Sequence, residues 1–368
     1  MAAKRPGDHT AGGFADHLRE ADQFLRIHYF VFTAFWPLLA ATTLGRDFTI
    51  GEIFALLAVI LCFHVYTYLL NDVIDLPIDR TQPRRQRDLL VRGAIRPAHV
   101  LLIALIQPAL TIPLTVFLGG SWPAHATLAA GFAFMAAYNL WGKHCPFPPL
   151  TDAIQGLAWA SLPVYVPQVF GSEPNVLTWM VAAFVVVFTM FFNGIHGSLR
   201  DLENDLATGA HTAPILFGAR PVPGRSAPYV SATLRAYAWS LLLVLVTINA
   251  VVMVRNDFGY GPVVWLATAV AVGALSVFSV VLQPHVVRPR APVWDLAYRL
   301  QLYLVMMSLP FAFFAYASVE VLLTLTVLTF ISIPLFDSSS TVLRWAWHTV
   351  RTAVWPISRR TSADPSTR

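Results

Sequence analysis

The chain has 368 residues, of which 56% are hydrophobic and 12% charged. Soluble domains carry roughly 25% charged residues, so this composition excludes an ordinary soluble globule, and its apolar content excludes a disordered chain. The formal net charge of +5 would suit a nucleic-acid binder, but the positive residues sit between apolar runs, which is the pattern of membrane topology.

In chain order, residues 1–25 are mostly polar and hold no apolar core of secretory type; they read as a cytosolic N-terminal segment. A membrane span takes about 20 mainly apolar residues. Ten stretches qualify: Ile27–Leu44, Gly51–Leu70, His99–Leu118, Pro123–Trp141, Ala153–Phe170, Val176–Leu199, Ser231–Val254, Pro262–Leu282, Leu300–Ala317 and Val319–Leu335. The last two are short and could form one hairpin, which would leave nine spans. With the N-terminus cytosolic and ten alternating spans, 23 of the 25 Lys and Arg residues fall inside and only Arg46 and Arg255 fall outside. That asymmetry favours ten spans over nine. Residues 26–337 then form a single transmembrane catalytic domain in the cell membrane, and residues 338–368 a basic cytosolic tail. The tail segment Arg344-Trp-Ala-Trp-His-Thr-Val-Arg351 suits an amphipathic helix on an anionic leaflet or a charge that only sets topology. Cys62 and Cys145 have no partners at metal-site spacing and cannot form a disulfide framework.

The 20 acidic residues cluster. Asp72, Asp75 and Asp79 follow Asn71 at the cytosolic end of the second span. Asp201 and Asp205 follow Arg200 at the cytosolic end of the sixth. At about 100° per residue, positions i, i+3 and i+7 share a helix face, as do i and i+4. Glu203 points elsewhere, and Pro77 interrupts the first helix before Asp79. Clustered carboxylates repel unless a cation holds them, and magnesium typically takes one or two carboxylates plus substrate phosphates. Arg80, Arg84, Arg85, Arg87 and Arg92 follow at once, and the guanidinium fork matches phosphate. Two such clusters at one membrane rim read as a Mg²⁺–diphosphate site. No charge lies deep in a span, which argues against an ion-coupled transporter, and the two intact Asp clusters argue against a non-catalytic transporter or lipid-binding scaffold.

At these residues the chain resembles the UbiA superfamily of intramembrane prenyltransferases. The family's NDxxDxxxD motif stands as Asn71, Asp72, Asp75 and Asp79, followed by Arg80; its DxxxD motif stands as Asp201 and Asp205. Tyr138 and Lys143 match a Tyr-x4-Lys element, and Thr151–Trp159 looks like the family's fifth helix. The resemblance covers about residues 25–340. It implies an all-α bundle of nine to ten transmembrane helices around a central cavity capped by the two motifs. It also implies Mg²⁺ held by Asp72, Asp75, Asp79, Asp201 and Asp205, and an isoprenyl diphosphate of C10–C20 or longer. Asp88-Leu89, His144, Gln155, Leu206 and Ala210-His211 depart from the family pattern. With these departures no positive group that would hold an aromatic carboxylate is evident, which disfavours 4-hydroxybenzoate-type acceptors.

On the second span His64, Tyr68, Asp72 and Asp75 fall within one face. His64 could serve an acceptor hydroxyl or simply bond between helices. Gly194 and Gly197 lie on the Asp201 face and leave room either for a prenyl chain or for close packing. The expected chemistry is ionisation of the diphosphate with Lys143, Arg84, Arg85 and the metals neutralising the leaving group. Asn71, Arg80, Arg200, Tyr68, Tyr138 and His64 complete the expected substrate contacts. The allylic cation then passes to an aromatic or lipid acceptor; in a terpene cyclase, a minority of the superfamily, its own alkene captures it.

Overall fold

The computed structural model describes residues 14–82, 85–86, 88–224, 227–287 and 294–337. Arg84, Arg87 and the basic tail at 338–368 lie outside them. An amphipathic helix, α1 (Phe14–Leu25), leads through a 3-10 turn at Ile27–Tyr29 into the apolar α2 (Phe30–Thr42). Thr49 caps α3 (Ile50–Ile74): its hydroxyl accepts from the Glu52 N–H at 3.2 Å, while its own N–H donates to Glu52 Oε2 at 2.8 Å. The helix stops at Asp75, and α4 (Leu76–Asp79) restarts with Pro77 in its first turn, where a missing N–H costs nothing. Proline opens the next three helices in the same way: α5 (Pro97–Phe117), α6 (Trp122–Trp141) and α7 (Pro148–Val169).

Asn175 caps α8 (Val176–Phe191), its Oδ1 accepting from the Thr178 N–H at 2.9 Å. The helix continues through a π-helical segment (Phe192–Gly197) into α9 (Ser198–Arg200). Short helices α10 (Leu202–Thr208) and α11 (Ala213–Leu216) follow. The chain closes with α12 (Ala232–Arg255), α13 (Pro262–Val287), α14 (Trp294–Phe311) and α15 (Val319–Asp337). An isolated antiparallel bridge joins Arg220 and Tyr229; otherwise the regular structure of the described residues is helical.

A helix occupies each of the ten predicted stretches, and the all-helical bundle matches the expected fold. Residues 294–311 and 319–337 are separate helices. Among the described residues, five helical runs are long and apolar enough to cross a membrane: α3, α5, Val176–Arg200, α12 and α13. One boundary moves. The fifth span starts at Pro148, before the expected Ala153, because two prolines fit the first turn. Asp152 therefore lies inside the packed helix, within the Thr151–Trp159 stretch that resembles the family's fifth helix.

Helix α3 packs on α5, α6 and α2, and α7 sits between α6, α8 and α2. Their core is aromatic: Phe63 lies 5.0 Å from Phe132 and 5.6 Å from Trp159 between ring centroids. Gly156 lets α7 approach α8, since a Cβ there would come within 2.8 Å of the Val186 backbone. Beyond α8, helices α12, α13 and α14 are joined by a buried polar seam. Asn249 Nδ2 donates to Ser276 Oγ at 3.2 Å and Ser308 Oγ at 2.8 Å, and Gln301 Nε2 donates to Gln283 Oε1 at 2.6 Å. Polar contacts of this kind hold helices together where lipid gives no hydrophobic driving force.

Candidate active site

A cavity of about 300 Å³ opens where α3 and α9 end. Asp75 and Asp79 from one motif and Asp201 and Asp205 from the other line it together, although more than 120 residues separate them in the chain. Arg26, Arg85, Lys143 and Arg200 supply positive charge on the same wall. Trp36, Trp159, Phe188 and Phe192 supply aromatic faces further along the helices.

Each carboxylate of the first motif is answered by a cation. Lys143 Nζ lies 2.9 Å from Asp75 Oδ2, and Asn71 Nδ2 donates to the same oxygen at 3.1 Å. Asn71 Nδ2 also lies 3.4 Å from Asn139 Oδ1, which ties the motif to α6. Arg85 Nε stands 3.7 Å from Asp79 Oδ1, and Arg85 Nη1 lies 3.9 Å from Asp72 Oδ1 and 3.0 Å from Asp88 Oδ2. Asp72 is not among the residues that line the cavity; it pairs with Arg26, which does line it. Burial lifts the Asp79 carboxyl above its ordinary range, with Arg85 opposing the shift. Burial weakens the Arg85 guanidinium, but Asp79 and Asp72 more than compensate and hold it above its ordinary value. The three aspartates do not share one continuous helix face. The break at Asp75 hands Asp79 to α4, and this short helix returns its carboxylate to the cavity.

The second motif follows the π-helical segment and α9, with Asp201 at the start of α10 and Asp205 on it; π-helical segments often mark functional sites. Arg200 Nε and Nη2 lie 3.3 and 3.4 Å from the two oxygens of Asp201. Asp205 is buried on α10, whereas Glu203 is exposed. The motifs meet through Thr81, whose hydroxyl donates to Asn204 Oδ1 at 3.5 Å. The 3-10 turn Gly142–His144 holds Lys143, and the backbone N–H of His211 donates to the Lys143 carbonyl oxygen at 2.8 Å.

Tyr68 and Tyr138 line the cavity. The Tyr68 ring lies under the Arg26 guanidinium at 5.1 Å. His64 does not reach the wall. The rings of Phe30 and Tyr68 cover it, its Nδ1 lies 2.8 Å from Thr33 Oγ1, and its Nε2 lies 3.1 Å from the Leu25 and Arg26 carbonyl oxygens. It bonds between helices and holds the turn that carries Arg26. Arg80 is exposed and off the cavity wall, so Arg85 and Arg26 stand where Arg80 was expected. The two glycines divide the two roles offered for them: Gly197 lines the cavity, while Gly194 packs against Asp152.

Sequence reasoning missed Arg26, Asn139 and Asp152 as cavity residues. Arg26 counted only toward topology. Asp152 carried a signal, a carboxylate beside an apolar run, but stood one residue outside the assigned span.

Among the described residues no three acidic, histidine or cysteine side chains converge on one point. The donor set still suits magnesium: hard carboxylate oxygens arrive from both motifs, and Mg²⁺ commonly takes one or two carboxylates and completes its shell with phosphate and water.

The UbiA prenyltransferase family model matches residues 30–294. Digeranylgeranylglyceryl phosphate synthase of Pyrococcus abyssi is 31% identical over 152 residues, 41% of this chain and 51% of its own length. Lycopene elongase/hydratase of Halobacterium salinarum is 26% identical over 195 residues, 50% of this chain and 66% of its own. The chain thus spans between half and two thirds of the length of these curated relatives. A solved structure of digeranylgeranylglyceryl phosphate synthase shares the fold with a TM-score of 0.61 at 15% identity, covering 82% of this chain and 99% of that one. A UbiA homologue from Archaeoglobus fulgidus, bound to GPP and Mg²⁺, does so with a TM-score of 0.56 at 14% identity, covering 82% and 100%.

Proposed function

The chain belongs to the UbiA prenyltransferase family, and from that premise we propose that it ionises an isoprenyl diphosphate in this cavity and transfers the prenyl group to an acceptor within the membrane. It is a multi-pass membrane protein by its five long apolar helices and its family. The observation that carries the proposal is the convergence of both aspartate motifs on one cavity that also holds four cationic side chains and an aromatic wall.

The division of labour follows from the chemistry of each group. Asp72, Asp75 and Asp79 on one side, and Asp201 and Asp205 on the other, would hold magnesium. When bound, the metal supplies Lewis-acid charge that steadies the departing diphosphate. Lys143, Arg26, Arg85 and Arg200 bind and orient the phosphates and lower the cost of charge building on the leaving oxygen. Before substrate arrives they pair with the carboxylates, so the cavity carries no large uncompensated charge. Asn71 fixes Asp75 through its amide. The Tyr68, Trp36, Trp159 and Phe188 rings face the region where an allylic cation forms, and ring quadrupoles attract cations. The apolar helices exclude water, which would otherwise capture that cation. The positive-inside balance puts the N-terminus and the cavity mouth on the cytosolic side.

The experiment is incubation of membranes holding the chain with Mg²⁺ and geranyl, farnesyl or geranylgeranyl diphosphate, with and without a lipid extract. Diphosphate release and the organic extract are both assayed. Transfer requires release that depends on the added acceptor and is lost with EDTA. A cyclic product without acceptor establishes a cyclase instead, and diphosphates left intact under every condition refute both.

A further inference from the structure

Asp152 is the cavity carboxyl to which prenyl transfer, as laid out so far, gives no task. It lies in the first turns of α7, 7% exposed, on the wall that both motifs share. Asp75, Asp79 and Asp201 each face a cation there. The Asp152 Oδ2 atom, by contrast, is buried with no hydrogen-bond partner among the described residues. One turn along α7, Gln155 Oε1 accepts from Asn193 Nδ2 at 2.7 Å, and on the same cavity wall the buried Thr212 hydroxyl shares with Asp152 the lack of a partner among the described residues. The fold also makes room for this carboxyl, because a Cβ on Gly194 would come within 2.4 Å of Oδ2. Buried polar atoms without partners are rare and costly. One that lines a substrate cavity is accounted for if the substrate brings the missing donor.

We infer that Asp152 is the subsite for the acceptor: its carboxylate accepts a hydrogen bond from a hydroxyl of the second substrate and takes that proton during transfer. This rests on the prenyl-transfer reading of the same cavity and narrows it to a class of acceptor. The step balances. The acceptor oxygen bonds to C1 of the prenyl group. The bond from C1 to the diphosphate oxygen breaks, and its electron pair leaves with the diphosphate. The hydroxyl proton passes to Asp152. An alcohol suits this position. An acceptor that places a carboxylate here would meet like charge, which agrees with the lack of a positive group at Leu206 and Ala210. The apolar helices around the cavity favour an alcohol dissolved in the bilayer.

The test uses the full chain in bilayer nanodiscs and the hydrophobic carbodiimide DCCD, which adds to carboxyls in apolar surroundings. The probe is batyl alcohol, a neutral alkylglycerol with free hydroxyls, and its control is the same lipid with both hydroxyls methylated. The expected adduct is on Asp152 by mass spectrometry. Batyl alcohol at about ten times its dissociation constant slows labelling roughly tenfold by mass action, and the methylated lipid leaves the rate unchanged. Asp152→Asn takes no label at that site and binds geranylgeranyl diphosphate with Mg²⁺ as wild type does. Absence of the adduct, equal protection by both lipids, or no protection by either overturns the assignment. Loss of diphosphate binding in Asp152→Asn overturns it too. Failure of the underlying reading looks different: the wild-type chain then binds no prenyl diphosphate, whatever the labelling pattern.

Discussion

Helices α3 and α13 are nearly the same object in sequence, 25 and 26 residues long and both apolar enough to cross a membrane. In the fold they differ sharply: 72% of the most apolar window of α3 is buried inside the protein, against 22% for α13. Hydropathy cannot separate them, because lipid and protein interior are equally apolar environments. What separates them is where their few polar residues go. At the end of α3, Asn71 and the capping Asp75 reach the cavity. On α13 the buried Ser276, Ser279 and Gln283 bond to α12 and α14, while Val263, Val270 and Val277 are exposed. In this bundle a buried polar residue marks a protein-facing side, and its partner tells whether it serves chemistry or adhesion.

That contrast can be broken first at the cavity end. Asp75→Asn and Asp201→Asn are expected to lower Mg²⁺-dependent diphosphate release about a hundredfold or more, the scale for losing a preorganised electrostatic group. Both side chains line the cavity and pair there with a cation, so circular dichroism should still report a folded helical protein in each variant. Near-wild-type turnover in either variant would remove its motif from the site. Next, Lys143→Met takes the cation from Asp75 and from the incoming phosphate. A charge-assisted hydrogen bond contributes about 1.5–3 kcal/mol, so the apparent affinity for prenyl diphosphate should fall at least tenfold in an equilibrium binding assay.

Packing comes after chemistry. Gly156→Ala forces a methyl against the Val186 backbone, and such overpacking costs about 1–3 kcal/mol; the unfolding midpoint in detergent should drop while the metal dependence stays. In the seam, Asn249→Leu removes the hydrogen bonds to Ser276 and Ser308. Interhelical hydrogen bonds in membranes average about 0.6 kcal/mol each, so this loss should be smaller than at Gly156. The smallest effect belongs to the lipid face of α13: Val277→Leu should leave stability within about 0.5 kcal/mol and activity unchanged. A large loss there would mean that α13 packs against something more than lipid.

Much of this was legible in the residues. The helices follow from apolar length, and the motifs from carboxylates at helical spacing beside arginines. The cavity's composition was less legible, for physical reasons. Arg26 reaches Asp72 only because its backbone adopts a left-handed conformation with φ of 51°, a turn held by His64 through two carbonyl oxygens. No local pattern encodes that conformation. His64 itself looked like a wall residue from its helix face, but spacing does not say which rings will cover it. Asp79 needed the helix break at Asp75, which Pro77 signalled without fixing its direction. Asp152 escaped notice because the two prolines that begin α7 lie before the apolar run.

The central claim is that both aspartate motifs serve one diphosphate. Its most direct test is binding of geranylgeranyl diphosphate to the purified chain, with Mg²⁺ and then with EDTA, in wild type, Asp75→Asn, Asp201→Asn and the double variant. A single shared site predicts that Mg²⁺-dependent binding collapses in each single variant and that the double variant is scarcely worse, because residues acting as a unit are not additive. Losses that simply add, or Mg²⁺-dependent binding that survives intact in either single variant, would contradict it.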